Sequence, residues 1–249
     1  MAGKVFLIGA GPGDPELITV KAVKALQTAD VILIDDLVNH DLLQLAPQAR
    51  IIEVGKRGGC KSTPQHFINR MMVALAEQGQ TIARLKGGDP FLFGRGGEEM
   101  LALQTAGIPV EIIPGITSGI AVPASIGIPV THREFTHGVS FVTGHTLDDE
   151  SPNWRALVES GTTLVIYMGM KHLAAIVGDL LTAGMAPDTP AAAIQSGTLP
   201  SQQQVVSTVS MLPMAVKQEE LASPAIIVVG EVVRLAKLMG LADPLAVAA

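Results

Sequence analysis

The chain has 249 residues, of which 48% are hydrophobic and only 3% aromatic, with a formal net charge of −6. That apolar content excludes disorder and allows one large domain or two modest lobes, with cores resting on Ile, Val, Leu, Ala and Met. The acidic balance without a basic run excludes electrostatic nucleic-acid binding, and no apolar run approaches the ~20 residues of a membrane span.

Short Val- and Ile-rich runs alternate with helical patterns along the chain, which predicts α/β architecture. In the first half VFLIG (5–9), VILID (31–35), IIEVG (51–55), TIARL (81–85) and VEIIP (110–114) read as buried strands. Near-continuous apolar strands of this kind belong to a parallel sheet covered on both faces. Cys60 is the single cysteine; it excludes an internal disulfide and fits a reducing, cytoplasmic setting. Ser62-Thr63-Pro64 then predicts a helix start, a capping hydroxyl followed by proline at the first helical position. Phe67, Met71 and Leu75 form the expected buried stripe of that helix, and Gly79 stops it.

After Ile128-Pro129-Val130 the pattern restarts with VSFVTG (139–144), TLVIYMG (163–169), AAIQSG (192–197), QQVVSTV (203–209) and AIIVVGE (225–231). The expected organisation is a first lobe over residues 1–133, a second over 138–242 and an Ala-rich tail over 243–249. In open α/β sheets ligands collect where strands end. The loops richest in glycine and polar residues fall there: 10–16, 35–38, 55–63, 86–98, 114–119, 168–170 and 195–198. That clustering points to an enzyme.

GAGPGDPE (Gly9–Glu16) follows a strand and precedes a helix, so it invites comparison with the dinucleotide fingerprint. Asp14 stands where that fingerprint needs glycine, and Pro12 removes a backbone donor that a pyrophosphate would use. A carboxylate there repels phosphate. Asp14 reads equally well as a cap. LKGGDPFLFGRGGEE (Leu85–Glu99) is more specific, with five glycines in fifteen residues. Asp89-Pro90 fixes a bend, and Phe91 and Phe93 anchor the loop or line a pocket. Arg95 and Glu98 share a helix face, and the planar guanidinium between glycines is suited to a ligand carboxylate. A surface ion pair with first-turn acids is the plainer reading, which suits Glu99.

PGITSGIAVPAS (Pro114–Ser125) nearly forms a serine nucleophile elbow, but Thr117 occupies the serine position. Thr117 and Ser118 are candidate hydrogen-bond donors to a cofactor or a helix cap. VGKRGG (Val54–Gly59) puts Lys56 and Arg57 in a loop that is not a P-loop. From Arg50 to Arg95 there are eight Lys and Arg against three acids (Glu53, Glu77, Asp89), a local excess suited to a small anionic ligand. The histidines and Cys60 lack metal-ligand spacing, so no metal is expected, and His132 and His137 read as linker histidines.

Taken together, DDLV (Asp35–Val38), VGKRGG, LKGGDPFLFGRGGEE, PGITSGIAVPA and VIYMGM (Val165–Met170) resemble the uroporphyrinogen III C-methyltransferases of the tetrapyrrole methyltransferase family. The resemblance runs from Gly9 to Val233. It implies the tetrapyrrole methylase fold: two α/β lobes, a mainly parallel N-terminal sheet and a mixed C-terminal sheet, with the active site in the cleft between them. It implies a homodimer that transfers two methyl groups from S-adenosylmethionine to C2 and C7 of uroporphyrinogen III, giving precorrin-2 through precorrin-1 in tetrapyrrole biosynthesis (sirohaem, cobalamin or haem d1). Carried over by motif, the cofactor contacts are Pro12, Gly87, Gly88, Asp89 and Leu92, joined from the second-lobe side by Thr117, Ser118, Met168, Gly197 and Ala225. Asp35 and Lys56 match the family's proton acceptor and donor.

A polycarboxylate substrate gives Lys56, Arg57, Lys86 and Arg95 a role as counter-charges, with Glu98 beside Arg95. Arg95 is the rival of Asp35 as base, although a guanidinium, which keeps its proton at any working pH, is better suited to clamp than to deprotonate. The competing readings are a later corrin-pathway or diphthine-synthase-like methyltransferase and, from another class, an NAD(P)-dependent oxidoreductase.

Overall fold

The structure is a computed structural model that describes residues 3–55, 63–144 and 151–239, with side chains to 236. It forms two compact units, Met1–Ser118 and a second from Gly119 onward. Each of the ten expected strands is present, with ends within two residues of those read from the sequence.

The first unit is a five-stranded sheet in the order β3-β2-β4-β1-β5, built from β1 (Lys4–Gly9), β2 (Val31–Ile34), β3 (Arg50–Glu53), β4 (Thr81–Lys86) and β5 (Val110–Ile113). Every neighbouring pair is parallel. Alternation along the strands sends Phe6, Ile8, Ile32, Ile34, Ala83 and Leu85 to one face, under α1 (Val20–Leu26) and a 3-10 turn at His40–Leu45. Val5, Leu7, Val31, Leu33 and Ile82 face the other way, toward α2 (Gln65–Glu77) and α3 (Gly96–Thr105). Because apolar side chains are needed on both faces, the strands read as unbroken hydrophobic runs.

α2 departs from its expected stripe. Its buried residues are Ile68, Met72, Leu75 and Ala76, while Phe67 is 46% exposed and Met71 only partly covered. A row of every fourth residue drifts about 40° around a 3.6-residue helix at each step. Starting from Leu75, it has left the buried face by Phe67. Pro64 takes the N-cap position and no side chain caps the helix.

The second unit has the order β6-β7-β10-β8-β9: β6 (Val139–Thr143), β7 (Thr163–Tyr167), β8 (Pro190–Gln195), β9 (Gln203–Thr208) and β10 (Ala225–Val229). β6 and β7 are parallel, whereas β10 runs antiparallel to both β7 and β8, and β9 returns against β8, so this sheet is mixed. One face is covered by α5 (Trp154–Glu159), α6 (Leu173–Thr182) and α7 (Leu212–Gln218) through Trp154, Ile176, Leu180 and Leu212. The other packs Val122, Ile126 and Ile128 from and after α4 (Ser118–Ser125), with Val232, Val233 and Ala236 of the last 3-10 helix. The compact units divide at Ser118, whereas the expected first lobe runs to residue 133; the apolar residues after Gly119 are buried against the second sheet.

The carboxyl ends of all five parallel strands lie along one edge of the first sheet. There Gly9 and Gly115 approach so closely that a Cβ on Gly9 would meet the backbone of Gly115 and the Gly88 carbonyl. Backbone atoms cannot swing aside. Gly9→Ala should lower the unfolding free energy by about 1–3 kcal/mol, whereas Gly97→Ala in the open first turn of α3, where a Cβ meets nothing within 4 Å, should be neutral or stabilising by up to ~1 kcal/mol. Equal denaturation midpoints for the two variants would contradict this packing.

Candidate active site

The glycine loops at the carboxyl edge of the first sheet are tied to one another by backbone. Gly11 and Gly88 exchange both hydrogen bonds across an antiparallel bridge (Gly11 N to Gly88 O 3.2 Å, Gly88 N to Gly11 O 2.7 Å), and Ala10 N donates to Lys86 O at 2.7 Å. Gly88 holds φ +67°, a left-handed conformation suited to glycine. The Asp89 carboxylate accepts from Phe91 N at 2.8 Å and from Gly115 N at 3.1 Å, so it braces its own turn and joins the loop after β4 to the loop after β5. Asp14 caps the 3-10 turn at Pro15–Leu17, accepting from Glu16 N at 2.8 Å. Asn39 donates from its amide to Gly13 O at 3.0 Å, fastening the loop after β2 to the same turn.

Beneath these loops lies a buried ionic cluster that sequence reading did not assemble. Arg84 and Lys86 follow Ile82 on the α2 and α3 face of β4, and Asp35 follows Leu33 on that face of β2. The Arg84 guanidinium donates through Nε to Glu99 Oε1 at 3.0 Å and through Nη2 to Asp35 Oδ1 at 2.8 Å. Lys86 Nζ lies 3.1 Å from Glu99 Oε1 and 3.5 Å from Asp35 Oδ2. Gln65 of α2 adds a third donor to Glu99 Oε1 at 3.0 Å, itself held by Asn69.

Two cations face two carboxylates, so the cluster is formally neutral, and Asp35 is its most open member. Glu99, expected as a first-turn surface acid, is fully buried. Lys86, expected as a counter-charge for a ligand, is 4% exposed and its charge is met inside the protein. The missed signal was Arg84: a charged residue inside an otherwise apolar strand needs a buried partner. Among the described residues Glu99 Oε2 has no hydrogen-bond partner, so the charge of this carboxylate is drawn to one oxygen.

Arg95 takes the plainer of its two sequence readings. It donates to Glu98 through Nε at 2.9 Å and Nη2 at 2.6 Å, with both side chains more than half exposed. That hydrogen bond lowers the Glu98 carboxyl from its ordinary value and raises the guanidinium above its own, so Arg95 stays protonated. An exposed pair of this kind contributes ~0–1 kcal/mol and can open to receive another carboxylate. Arg95 has φ +58° and Phe93 φ +53°, both in the left-handed region. Of the six non-glycine residues with positive φ among the described residues, five (Phe93, Arg95, Met168, Ser196 and Thr198) lie in strand-end loops, the sixth being Glu220. Such backbone costs of order 1–3 kcal/mol per residue and collects at functional sites.

Of the other expected contacts in the first unit, Pro12, Gly87, Leu92, Thr117 and Ser118 are half-buried along its loop edge. Ser118 is the last residue of that unit and the first of α4. In the second unit Met168, half exposed with φ +55°, follows β7, and Gly197 follows β8, buried against Val122. Ala225 begins β10 opposite Gln195, so all three share one edge of that sheet. Tyr167, which sequence reading passed over, accepts at its Oη from Gly119 N at 2.6 Å and so fixes the start of α4 on β7. Lys56 and Arg57 lie outside the described residues. A separate cavity of about 730 Å³ is lined by Thr131, His132, Arg133, Glu134, Thr136 and His137 of the second unit; His132 stacks on Phe135 and accepts from Glu134 N.

Residues 4–213 match the tetrapyrrole (corrin/porphyrin) methylases as a family. The chain belongs to this family. It is 54% identical over 234 residues to the uroporphyrinogen-III C-methyltransferase of Pseudomonas aeruginosa, covering 94% of this chain and 96% of that one. It is 48% identical over 235 residues to the siroheme synthase of Azotobacter vinelandii, of which it spans 51%. Among solved structures it resembles the Thermus thermophilus uroporphyrin-III C-methyl transferase complexed with S-adenyl homocysteine, at 38% identity and a TM-score of 0.80, covering 93% of this chain and 99% of the other. The parallel and mixed sheets are those of this methylase fold.

The two neighbouring glutamates of α3 should behave oppositely. Glu99→Ala leaves buried Arg84 and Lys86 short of a counter-charge and should cost about 3–5 kcal/mol of stability. Glu98→Ala removes an exposed partner and should cost no more than ~1 kcal/mol. Chemical denaturation of both variants checks this, and a Glu99 cost as small as that of Glu98 would contradict the buried cluster.

Proposed function

We propose that the chain is an S-adenosylmethionine-dependent uroporphyrinogen III C-methyltransferase, methylating C2 and C7 to give precorrin-2 through precorrin-1. The observation that carries the reading is identity of about half over nearly the whole length of a relative of that name. The rival readings lose support on particular grounds. A later corrin-pathway or protein-modifying enzyme lacks that identity. A dinucleotide enzyme needs a helix entrance open to pyrophosphate, whereas here the Asp14 carboxylate takes the Glu16 amide.

The first-unit loops fit a methyl donor held largely by backbone. A Cβ on Gly88 would point at Thr117 Cα and at the amide and hydroxyl of Ser118, 3.7–3.8 Å away, so glycine leaves that side of the loop open. Pro12, Gly87, Gly88, Asp89, Leu92, Thr117 and Ser118 are the proposed donor contacts of this unit; Met168, Gly197 and Ala225 are those of the second. S-adenosylmethionine, when bound, supplies an electrophilic methyl group. The protein needs no nucleophile: a ring carbon's electron pair would form the new C–C bond as the donor's S–CH3 bond breaks and leaves its pair on sulfur, and a proton of the ring system would leave to a base. Positioning is then the main catalytic term, with a ceiling of about 7–11 kcal/mol.

Asp35 is the proposed proton acceptor, open at the sheet edge and held from behind by Arg84 and Lys86. Lys56 is the proposed donor of the returning proton. Arg95, with Glu98, is the proposed clamp on substrate carboxylates, and Arg57 a further counter-charge. The buried ionic cluster lends Asp35 its setting, while Lys86 acts through that cluster and not as a free counter-charge. The reading carries with it a cytoplasmic homodimer, an assignment that rests on the family resemblance.

Anaerobic incubation with uroporphyrinogen III and S-adenosylmethionine should give the precorrin-2 chromophore with two S-adenosylhomocysteine released per tetrapyrrole. Absence of methylated tetrapyrrole from folded enzyme that binds S-adenosylhomocysteine would overturn the substrate. Asp35→Asn should lower turnover by roughly a hundredfold or more with S-adenosylhomocysteine affinity unchanged. Arg95→Lys, which keeps charge but loses the planar fork, should raise KM for the tetrapyrrole far more than it lowers kcat. Wild-type kinetics in either variant would remove that residue from its role.

A further inference from the structure

In the buried cluster the side chain of Asp35 is 30% exposed, against 4% or less for Arg84, Lys86 and Glu99. Its two oxygens are also unequal. Oδ1 accepts from Arg84 Nη2 at 2.8 Å, while among the described residues Oδ2 has only Lys86 Nζ near it, at 3.5 Å, too long for a strong hydrogen bond. One oxygen is anchored and the other has lone pairs to spare.

The anchor is itself fixed. Arg84 is fully enclosed, and its guanidinium plane spans Asp35 on one side and Glu99 on the other, with Nη1 reaching the Leu33 carbonyl at 3.4 Å. Glu99 is immobilised by three donors on Oε1 from two different elements, β4 and α2. A planar fork held at one end dictates the direction of the carboxylate at its other end. No such construction is needed to stabilise a fold, since buried ion pairs seldom improve on apolar packing.

We propose that Arg84, locked in place by Glu99, is a positioning residue that holds Asp35 Oδ1 and so presents Oδ2 as the oxygen that takes the substrate proton. The inference rests on the reading of Asp35 as proton acceptor. In that step the bond from the ring system to hydrogen breaks, its electron pair returns to the ring, and a new O–H bond forms at Oδ2. The charged groups facing Asp35 among the described residues are Arg84 and Lys86 from β4 and Glu99 from α3, with neutral Gln65 and Asn69 of α2 behind Glu99; Asp36 adjoins it in the chain.

The test uses the full-length enzyme carrying Arg84→Gln, Glu99→Gln or Arg84→Lys, each alone and combined with Asp35→Asn. Arg84→Gln removes a cation next to Asp35 and should move the acid limb of the pH–kcat profile to higher pH. Glu99→Gln removes an anion from the same cluster and should move it to lower pH. A merely structural defect has no reason to displace the two in opposite senses. Arg84→Lys keeps the charge without the fork and should leave the limb near its wild-type place while kcat still falls roughly ten- to a hundredfold. S-adenosylhomocysteine affinity, measured by calorimetry, should stay within about twofold of wild type.

On the Asp35→Asn background Arg84→Gln should cause little further loss of turnover, because the partner it positions is gone. The proposal is overturned if the limb moves the same way or not at all in the two glutamine variants, or if Arg84→Gln costs as much without Asp35 as with it. If Arg84→Gln does not fold, the proposal is overturned when Glu99→Gln fails to move the limb to lower pH, or when Arg84→Lys costs as much turnover without Asp35 as with it. A wild-type turnover number in Asp35→Asn alone brings down the reading of Asp35 itself, an outcome distinct from failure of the Arg84 arrangement.

Discussion

Arg84 cannot be taken out of water in a parallel sheet unless its charge is met, and the way it is met governs the whole carboxyl edge of the first unit. The guanidinium is paired with Glu99 at 3.0 Å and Asp35 at 2.8 Å, and Lys86 closes the group to a formal neutrality. The requirement reaches outward in two directions. It obliges α3 to bring Glu99 onto the sheet with its first turn, and it holds Asp35 where β2 gives way to a loop. Losing any member leaves charge uncompensated in a dry place, so the group is stable only as a whole.

Above that layer the loops have little freedom. The Gly11–Gly88 bridge, the Asp89 carboxylate on the Gly115 amide and the Asn39 amide on Gly13 join four strand ends into one brace. A methyl transfer without covalent catalysis depends on alignment, and alignment is what a brace of this sort supplies. Left-handed backbone at Phe93 and Arg95 is tolerated because the surrounding loop over-determines it. The second unit follows the same rule at Met168, Ser196 and Thr198, where strand ends turn sharply.

Much of this was legible in the sequence, for reasons that can be stated. Strands such as VILI and AIIVV are buried on both faces and announce themselves as apolar runs whatever surrounds them. Loops at strand ends declare themselves by glycine. The stripe of α2 was less legible, because its buried face is chosen by the sheet it packs on, and Phe67 gave way to Ile68 and Met72. Burial of charge was least legible. GRGGEE presents two adjacent glutamates, and nothing local tells that Glu98 faces solvent while Glu99 meets a residue fifteen positions earlier. In the segment from Leu85 to Glu99, the departure from the sequence reading lies at Lys86 and Glu99, which are buried with Arg84 and Asp35.

The most direct measurement is a crystal structure of the enzyme with S-adenosylhomocysteine and a non-reacting tetrapyrrole polycarboxylate. The account predicts Asp35 Oδ2 within about 3 Å of the tetrapyrrole's proton-bearing atoms, with Oδ1 still bonded to Arg84 and the Arg95 fork turned from Glu98 to a substrate carboxylate. A tetrapyrrole seated away from Asp35, or one that pulls Asp35 free of Arg84, would contradict it.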